Sequence, residues 1–373
     1  MGTGATEAGC DPAVIVGTGC CGSTLLAHLL HMHPELCVLS EFVLSVADAN
    51  VVAPADVLSG SEIAAILGRA RPEIEFLADR GLRLRQILYL RPGRSDCRQP
   101  TPSILLTTLP WLHDDPERAY AELIRFTSLL PPAPFAEQLR VICQHMTSSV
   151  GKQRFVERSG SSLGFVPYLR RLFPDARYVI LCRDGPETVM SMRDHPLFRL
   201  GWSVTQSLPK DRRSGTSLWP ALTRAELLRH SQALETAPPL EDVARMWSAL
   251  TLRGLGALAS VPRTSKLLVM FEELVRDPGS LLASMAEFLG VASDAHWAAR
   301  AKELLSPQPS RVEELADDDQ ALLRSACEPG HRAINLAAQH CLRPPPLRPQ
   351  RQLAVLTGTA SGPSPHRSPR GAI

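Results

Sequence analysis

Short apolar runs rich in β-branched residues alternate along the chain with segments whose apolar residues recur every three or four positions. That alternation predicts strands joined by helices, an α/β protein with a mainly parallel sheet. Ala13-Val14-Ile15-Val16 reads as a buried strand, followed by a Gly-rich turn and a helix from about Ser23 to His31. Tyr178-Val179-Ile180-Leu181-Cys182 reads as a second, preceded by a segment in which Leu163, Val166, Leu169 and Phe173 repeat at helical spacing. Leu267-Leu268-Val269-Met270-Phe271 is a third, after which Asp277-Pro278 caps a helix carrying Leu281, Met285 and Leu289. Arg140-Val141-Ile142-Cys143 and Phe155-Val156 are weaker strand candidates. Residues from about 43 to 135 and from about 195 to 260 read mostly as helices and loops, broken at Pro110, Pro131, Pro132 and Pro134, and are expected to form helical insertions over the sheet.

Composition narrows the class. The 373 residues are 44% hydrophobic and 21% charged, the balance of a globular protein rather than a disordered or fibrous one. No apolar run reaches the roughly 18–20 residues of a membrane span, and the first residues lack the basic start and apolar stretch of a signal peptide. A soluble, cytoplasmic protein is therefore expected. The net charge of +2, from 40 basic and 38 acidic residues, gives no case for nucleic-acid binding. Residues 343–373 hold seven prolines, five arginines and no acid, too little apolar surface to offset chain entropy. They are expected to be a disordered tail and residues 1–11 a disordered start, on either side of one domain over 12–342. The nine cysteines include no CxxC and no Cys/His pair at zinc spacing, which argues against a disulfide framework or structural zinc.

The strongest local chemistry is Gly17-Thr18-Gly19-Cys20-Cys21-Gly22-Ser23-Thr24, set between a strand and a helix. Backbone N–H groups of such a loop, together with the helix dipole, suit a phosphate. The spacing is that of a Walker A loop with Ser23 in place of the lysine, which disfavours an ordinary ATPase, GTPase or kinase. A plain connecting turn is the alternative. Downstream, Arg183-Asp184-Gly185-Pro186-Glu187-Thr188-Val189-Met190-Ser191 sits at another strand end, with a helix starting at Pro186. There Arg183 and Ser191 could grip one phosphate by charge and hydroxyl.

Together with Ser40-Glu41 and Glu157-Arg158-Ser159-Gly160, these motifs resemble the sulfotransferases that use 3′-phosphoadenosine 5′-phosphosulfate, PAPS, above all the bacterial branches and the tyrosylprotein and carbohydrate enzymes. The resemblance covers about residues 13–42 and 154–200, with Leu267 to Val291 similar to the family's closing strand and helix. It implies a three-layer P-loop sulfotransferase core, a parallel sheet with helical insertions. By the same resemblance, Gly19, Cys20, Cys21, Gly22, Ser23 and Thr24 would hold the 5′-phosphosulfate, and Arg183 and Ser191 the 3′-phosphate that separates PAPS from ATP. Glu41 stands where the tyrosylprotein branch carries its general base, and Arg158 where it carries a cation near the transferring group. His33, His145 and His195 are rival bases, a structural role being expected of His33. The implied reaction moves the sulfuryl group to a hydroxyl of a small-molecule or carbohydrate acceptor, with no metal required. The acceptor pocket is expected in the two insertions, where Trp111, Trp202, Trp219 and Trp247 are available, although aromatic residues in helical insertions are more often core than ligand platform.

One position departs from the family pattern: Cys20 stands where the loop normally has Arg or Lys. The departure keeps open a weakened member that binds PAPS or its product and acts as a regulatory or partner-binding protein. A redox-sensitive Cys20–Cys21 pair, with a thiolate stabilised at the helix N-terminus, is a further reading.

Overall fold

The computed structural model describes residues 12–46, 52–82, 84, 87, 101–207, 223–305 and 309–344. The expected disordered start, nearly all of the expected disordered tail and Trp219 lie outside the described residues. The strands are β1 (Ala13–Val16), β2 (Leu36–Ser40), β3 (Val57–Leu58), β4 (Ala133–Pro134), β5 (Arg154–Arg158), β6 (Arg177–Cys182) and β7 (Lys266–Met270). Five of them form a parallel sheet in the order β2-β5-β1-β6-β7, and β3 pairs with β4 in a separate antiparallel pair. All four residues of β1 are buried, as expected of a central parallel strand covered on both faces, and this explains its uninterrupted apolar run.

Alternate side chains feed two cores. Ala13, Ile15, Val38, Val156 and Val179 face the layer holding the Ser23–His31 and Pro278–Leu289 helices, through Leu26, Leu30, Leu282 and Met285. Val14, Val16, Leu39, Tyr178 and Ile180 face the other layer, which includes the Phe135–Ser149, Val166–Leu172, Leu240–Ala257 and Asp317–Gln339 helices. The architecture is three-layered α/β, as expected. The chain leaves β1 toward β2 on one side, then passes from β5 to β6 on the other, so the carboxyl ends of β1, β5 and β6 border a crevice.

Two strand readings need correction. Arg140-Val141-Ile142-Cys143 is not a strand but the middle of the Phe135–Ser149 helix, whose Phe135, Leu139, Ile142, Cys143 and Met146 make one buried stripe. That longer period overrides the β-like four-residue window. Phe271 belongs to the Phe271–Arg276 helix rather than to β7. The strand β2 leaves no separate mark in the sequence, because it follows only four residues after the Ser23–His31 helix. Trp247 is 1% exposed and packs against Gly185, Gly330 and His331, which makes it core rather than acceptor surface.

Candidate active site

The loop after β1 takes its shape from left-handed backbone at Gly19, Cys20 and Gly22, with φ of 83°, 53° and 91°. At Gly22 a side chain would collide with the Phe271 ring, 2.3 Å from an added Cβ, and at Gly19 with Ser161 and Phe198. Glycine is required there by conformation and by space. Gly22 is the N-cap of the Ser23–His31 helix and provides no side-chain cap, so the first-turn N–H groups suit an anion. The turn after β5 braces the loop: Ser162 Oγ accepts from Gly17 N–H at 3.3 Å and donates to Ile15 O at 3.1 Å, while Leu163 N–H donates to Gly17 O at 3.0 Å.

Arg158 ends β5 and reaches across the loop. Its guanidinium donates to Ser23 Oγ at 2.7 Å and to Thr24 Oγ1 at 2.8 Å, and it forms an ion pair with Glu41. Glu41 follows β2 in a left-handed conformation, φ 59°. Its N–H donates to Arg158 O at 2.6 Å and its second carboxylate oxygen accepts from Gly160 N–H at 3.0 Å. The parallel register that sets Ser40 opposite Arg158 brings these side chains together. Arg158 pairs with Glu41 and not with the neighbouring Glu157. Glu157 alternates to the other face of the sheet, where it accepts from Ser159 Oγ and Val43 N–H and burial pushes its carboxyl up to about 8.

Arg183 leaves the end of β6 on the loop's other side. Its guanidinium donates to Cys20 O at 3.2 Å, stands 3.5 Å from Ser191 Oγ, and lies 5.0 Å over the Phe271 ring. Asp184 caps the Gly185–Asp194 helix by accepting from Glu187 N–H. Glu187 in turn accepts from Ser310 Oγ and Arg311 N–H, which draws residues 310–312 to this side of the site. Nothing in the local sequence of those residues signals the contact. Glu41, Arg158, Ser23, Thr24, Arg183 and Ser191 thus converge on one loop, at the carboxyl edge of the sheet.

Among the histidines, His33 is fully buried, with its ring 2.9 Å from Ala292 O and accepting from Glu35 N–H, a structural role. His145 stacks on Phe126. His195 lies edge-on to Phe198, beside the loop; burial pushes its ring down to about 4, with a smaller opposing pull from Glu41. Burial pushes the Cys20 thiol up to about 12 and raises Cys21 as well, against the pull of the nearby arginines, which does not favour the thiolate that a redox-sensitive pair needs.

Compared by sequence, the chain matches no family model and no curated protein. Similar solved structures are sulfotransferases. The sulfotransferase domain from the curacin biosynthetic pathway is 14% identical over 87% of this chain and 96% of its own, with a TM-score of 0.44. The sulfotransferase domain of the Synechococcus PCC 7002 olefin synthase is 17% identical over 87% and 94%, TM-score 0.42. The sulfotransferase from Alicyclobacillus acidocaldarius is 17% identical over 89% and 97%, TM-score 0.39. The functional reading is carried by the side chains, not by these likenesses.

Proposed function

We propose that this protein is a PAPS-dependent sulfotransferase acting on a hydroxyl acceptor. The observation that carries the reading is a pair of guanidinium groups flanking one glycine-shaped anion loop. Arg158 sits on the hydroxyls of Ser23 and Thr24, and Arg183 sits beside Ser191. Two separate anionic groups are thereby provided for, as a nucleotide phosphorylated at both the 5′ and the 3′ position requires. PAPS, when bound, would supply the sulfuryl group and leave as adenosine 3′,5′-bisphosphate. The loop N–H groups with Ser23, Thr24 and Arg158 would hold its 5′ end, and Arg183 with Ser191 its 3′-phosphate.

On this reading Glu41 accepts the proton of the acceptor hydroxyl, and Arg158 stabilises charge that grows on the transferring and leaving groups. On the same reading Arg158 supplies positive charge beside a loop that lacks the usual Arg or Lys at Cys20, and the two arginines take the role a divalent ion fills in many phosphoryl transferases. The seven cysteines among the described residues are free, which supports a reducing, cytoplasmic setting. No helix among the described residues is long and apolar enough to cross a membrane.

Calorimetric titration tests the assignment. Arg183→Ala should weaken adenosine 3′,5′-bisphosphate by about 1.5–3 kcal/mol, one charged hydrogen bond, and leave AMP almost unaffected. Equal losses for both nucleotides would remove it. The binding-protein alternative draws on the Glu41–Arg158 ion pair, which occupies the proposed base in this structure. Nucleotide binding without transfer to any member of a broad hydroxyl panel would favour it.

A further inference from the structure

Away from the loop, a cavity of about 680 Å³ opens between the Leu240–Ala257 and Asp317–Gln339 helices and the β6–β7 side of the sheet. Its volume lies within the roughly 300–1,000 Å³ of small-ligand sites. Ile180, Leu252, Leu255, Leu336 and Ala337 give it aliphatic walls. One charged side chain in the lining is buried: Lys266, 3% exposed. Lys266 opens β7, at the amino end of the strands, whereas the loop follows the carboxyl end of β1. The cavity and the active site therefore use opposite edges of the sheet.

The polar balance of the cavity is unusual. An ammonium carries three donors, and among the described residues Lys266 Nζ has one partner, the carbonyl of Leu258 at 3.0 Å. A single neutral carbonyl compensates a buried positive charge poorly. Lys266 forms no ion pair with a carboxylate of the described residues. The other arginine or lysine of the lining, Arg332, sits at its exposed margin and pairs with Glu328.

We propose that this cavity binds a medium- to long-chain aliphatic carboxylate, with the carboxylate on Lys266 and the chain along Leu252, Leu255 and Leu336. One ammonium matches one negative charge, and the aliphatic walls match an unbranched hydrocarbon. The proposal does not rest on the sulfotransferase reading, so either can fail alone.

Decanoate and decan-1-ol, titrated separately into the full chain by calorimetry, make the test. Decanoate should bind one per chain, and the alcohol, equal in length but uncharged, about ten- to a hundredfold more weakly. Lys266→Met keeps the stem and removes the charge, so it should bring the two ligands to equal affinity. Leu255→Trp should fill the cavity and weaken both, with urea midpoints confirming that each variant folds. The wild-type comparison of head groups needs no variant. Absence of decanoate binding, equal affinity for acid and alcohol in the wild type, or undiminished binding in Leu255→Trp would overturn the proposal. If Lys266 serves only to hold Leu258 at the helix end, Lys266→Met will lower the urea midpoint without changing any head-group preference, and that too overturns it.

Discussion

Glu41 and Arg158 form an ion pair whose side chains are 7% and 5% exposed, so each holds the other's charge in a place water barely reaches. Removing one partner of such a pair typically costs about 3–5 kcal/mol, because the survivor's charge stays buried. Arg158→Met would leave the Glu41 carboxylate with Gly160 N–H, and Glu41→Gln would leave the guanidinium with the Ser23 and Thr24 hydroxyls. The double variant strands neither charge. Urea unfolding of the four proteins should therefore show about 2–3 kcal/mol of coupling, the double variant losing much less than the two single losses combined.

The same cycle, read by nucleotide affinity, separates a structural pair from a working one. In the free protein Arg158 is shared between Glu41 and the loop hydroxyls. Neutralising Glu41 should release it toward a 5′-phosphate and tighten adenosine 3′,5′-bisphosphate by about tenfold, roughly the lower end of one charged hydrogen bond. That gain should vanish when Arg158 is already Met. Single-turnover transfer from labelled PAPS should meanwhile drop by about two to four orders of magnitude in Glu41→Gln, since the amide cannot take a proton. Additive stabilities, together with an affinity that ignores Glu41→Gln, would refute the claim that one guanidinium serves both the carboxylate and the loop. Undiminished turnover in Glu41→Gln would move the role of base to His195, the histidine beside the loop.

Sequence alone makes Cys20→Arg a repair of the loop, but with Arg158 already on Ser23 and Thr24 a further cation meets like charge. Single-turnover transfer should be unchanged or slower, and a tenfold rise would contradict this. Glu157 is buried and its carboxyl is raised to about 8, so the folded state keeps a proton that the unfolded chain releases above its ordinary value near 4.5. Stability from this group is complete below about pH 4.5 and is lost as pH rises toward about 8. Glu157→Gln should flatten that slope and be the more stable protein at pH 8, which urea midpoints at pH 5 and pH 8 would show; an unchanged slope would count against it. His195 has the opposite dependence: its ring, pushed down to about 4 by burial, stays neutral while the unfolded ring charges, so stability is lost as pH falls from about 6.5 to about 4. His195→Gln should remove part of that loss, and an acid limb identical to wild type would exclude the buried neutral ring as its source.

The elements that were legible are those whose signal is local. The apolar run of β1, the Gly-rich turn and the Ser23–His31 helix lie within 19 consecutive residues, and the cap Asp277 and helix Pro278–Leu289 follow from neighbouring residues. Arg183 and Ser191 were legible for the same reason, being eight residues apart across a strand end and one helix. Arg140 to Cys143 resemble a strand because four residues cannot separate a buried strand from a buried helical stripe, and only the helical period sustained over the 15 residues of Phe135–Ser149 does. The Glu187 contact with residues 310–312 spans more than 120 positions and leaves no local mark.

Glu41 and Arg158 show what the sequence motif leaves undecided. The segment Glu157-Arg158 offers the site an acid and a base in succession, and strand alternation sends them to opposite faces of the sheet. Pairing of Ser40 with Arg158, and of Ile15 with Arg158 on the other side, turns the guanidinium toward Ser23 and Thr24. A slip of one residue in β5 would turn Glu157 there instead. A carboxylate would then face the loop, and the guanidinium would turn to the opposite face of the sheet. Val156, packed between Val38 and Ala13 on the helix side, therefore fixes the chemistry of the loop as much as any loop residue does, because its burial on that face commits Arg158 to the same face two residues on.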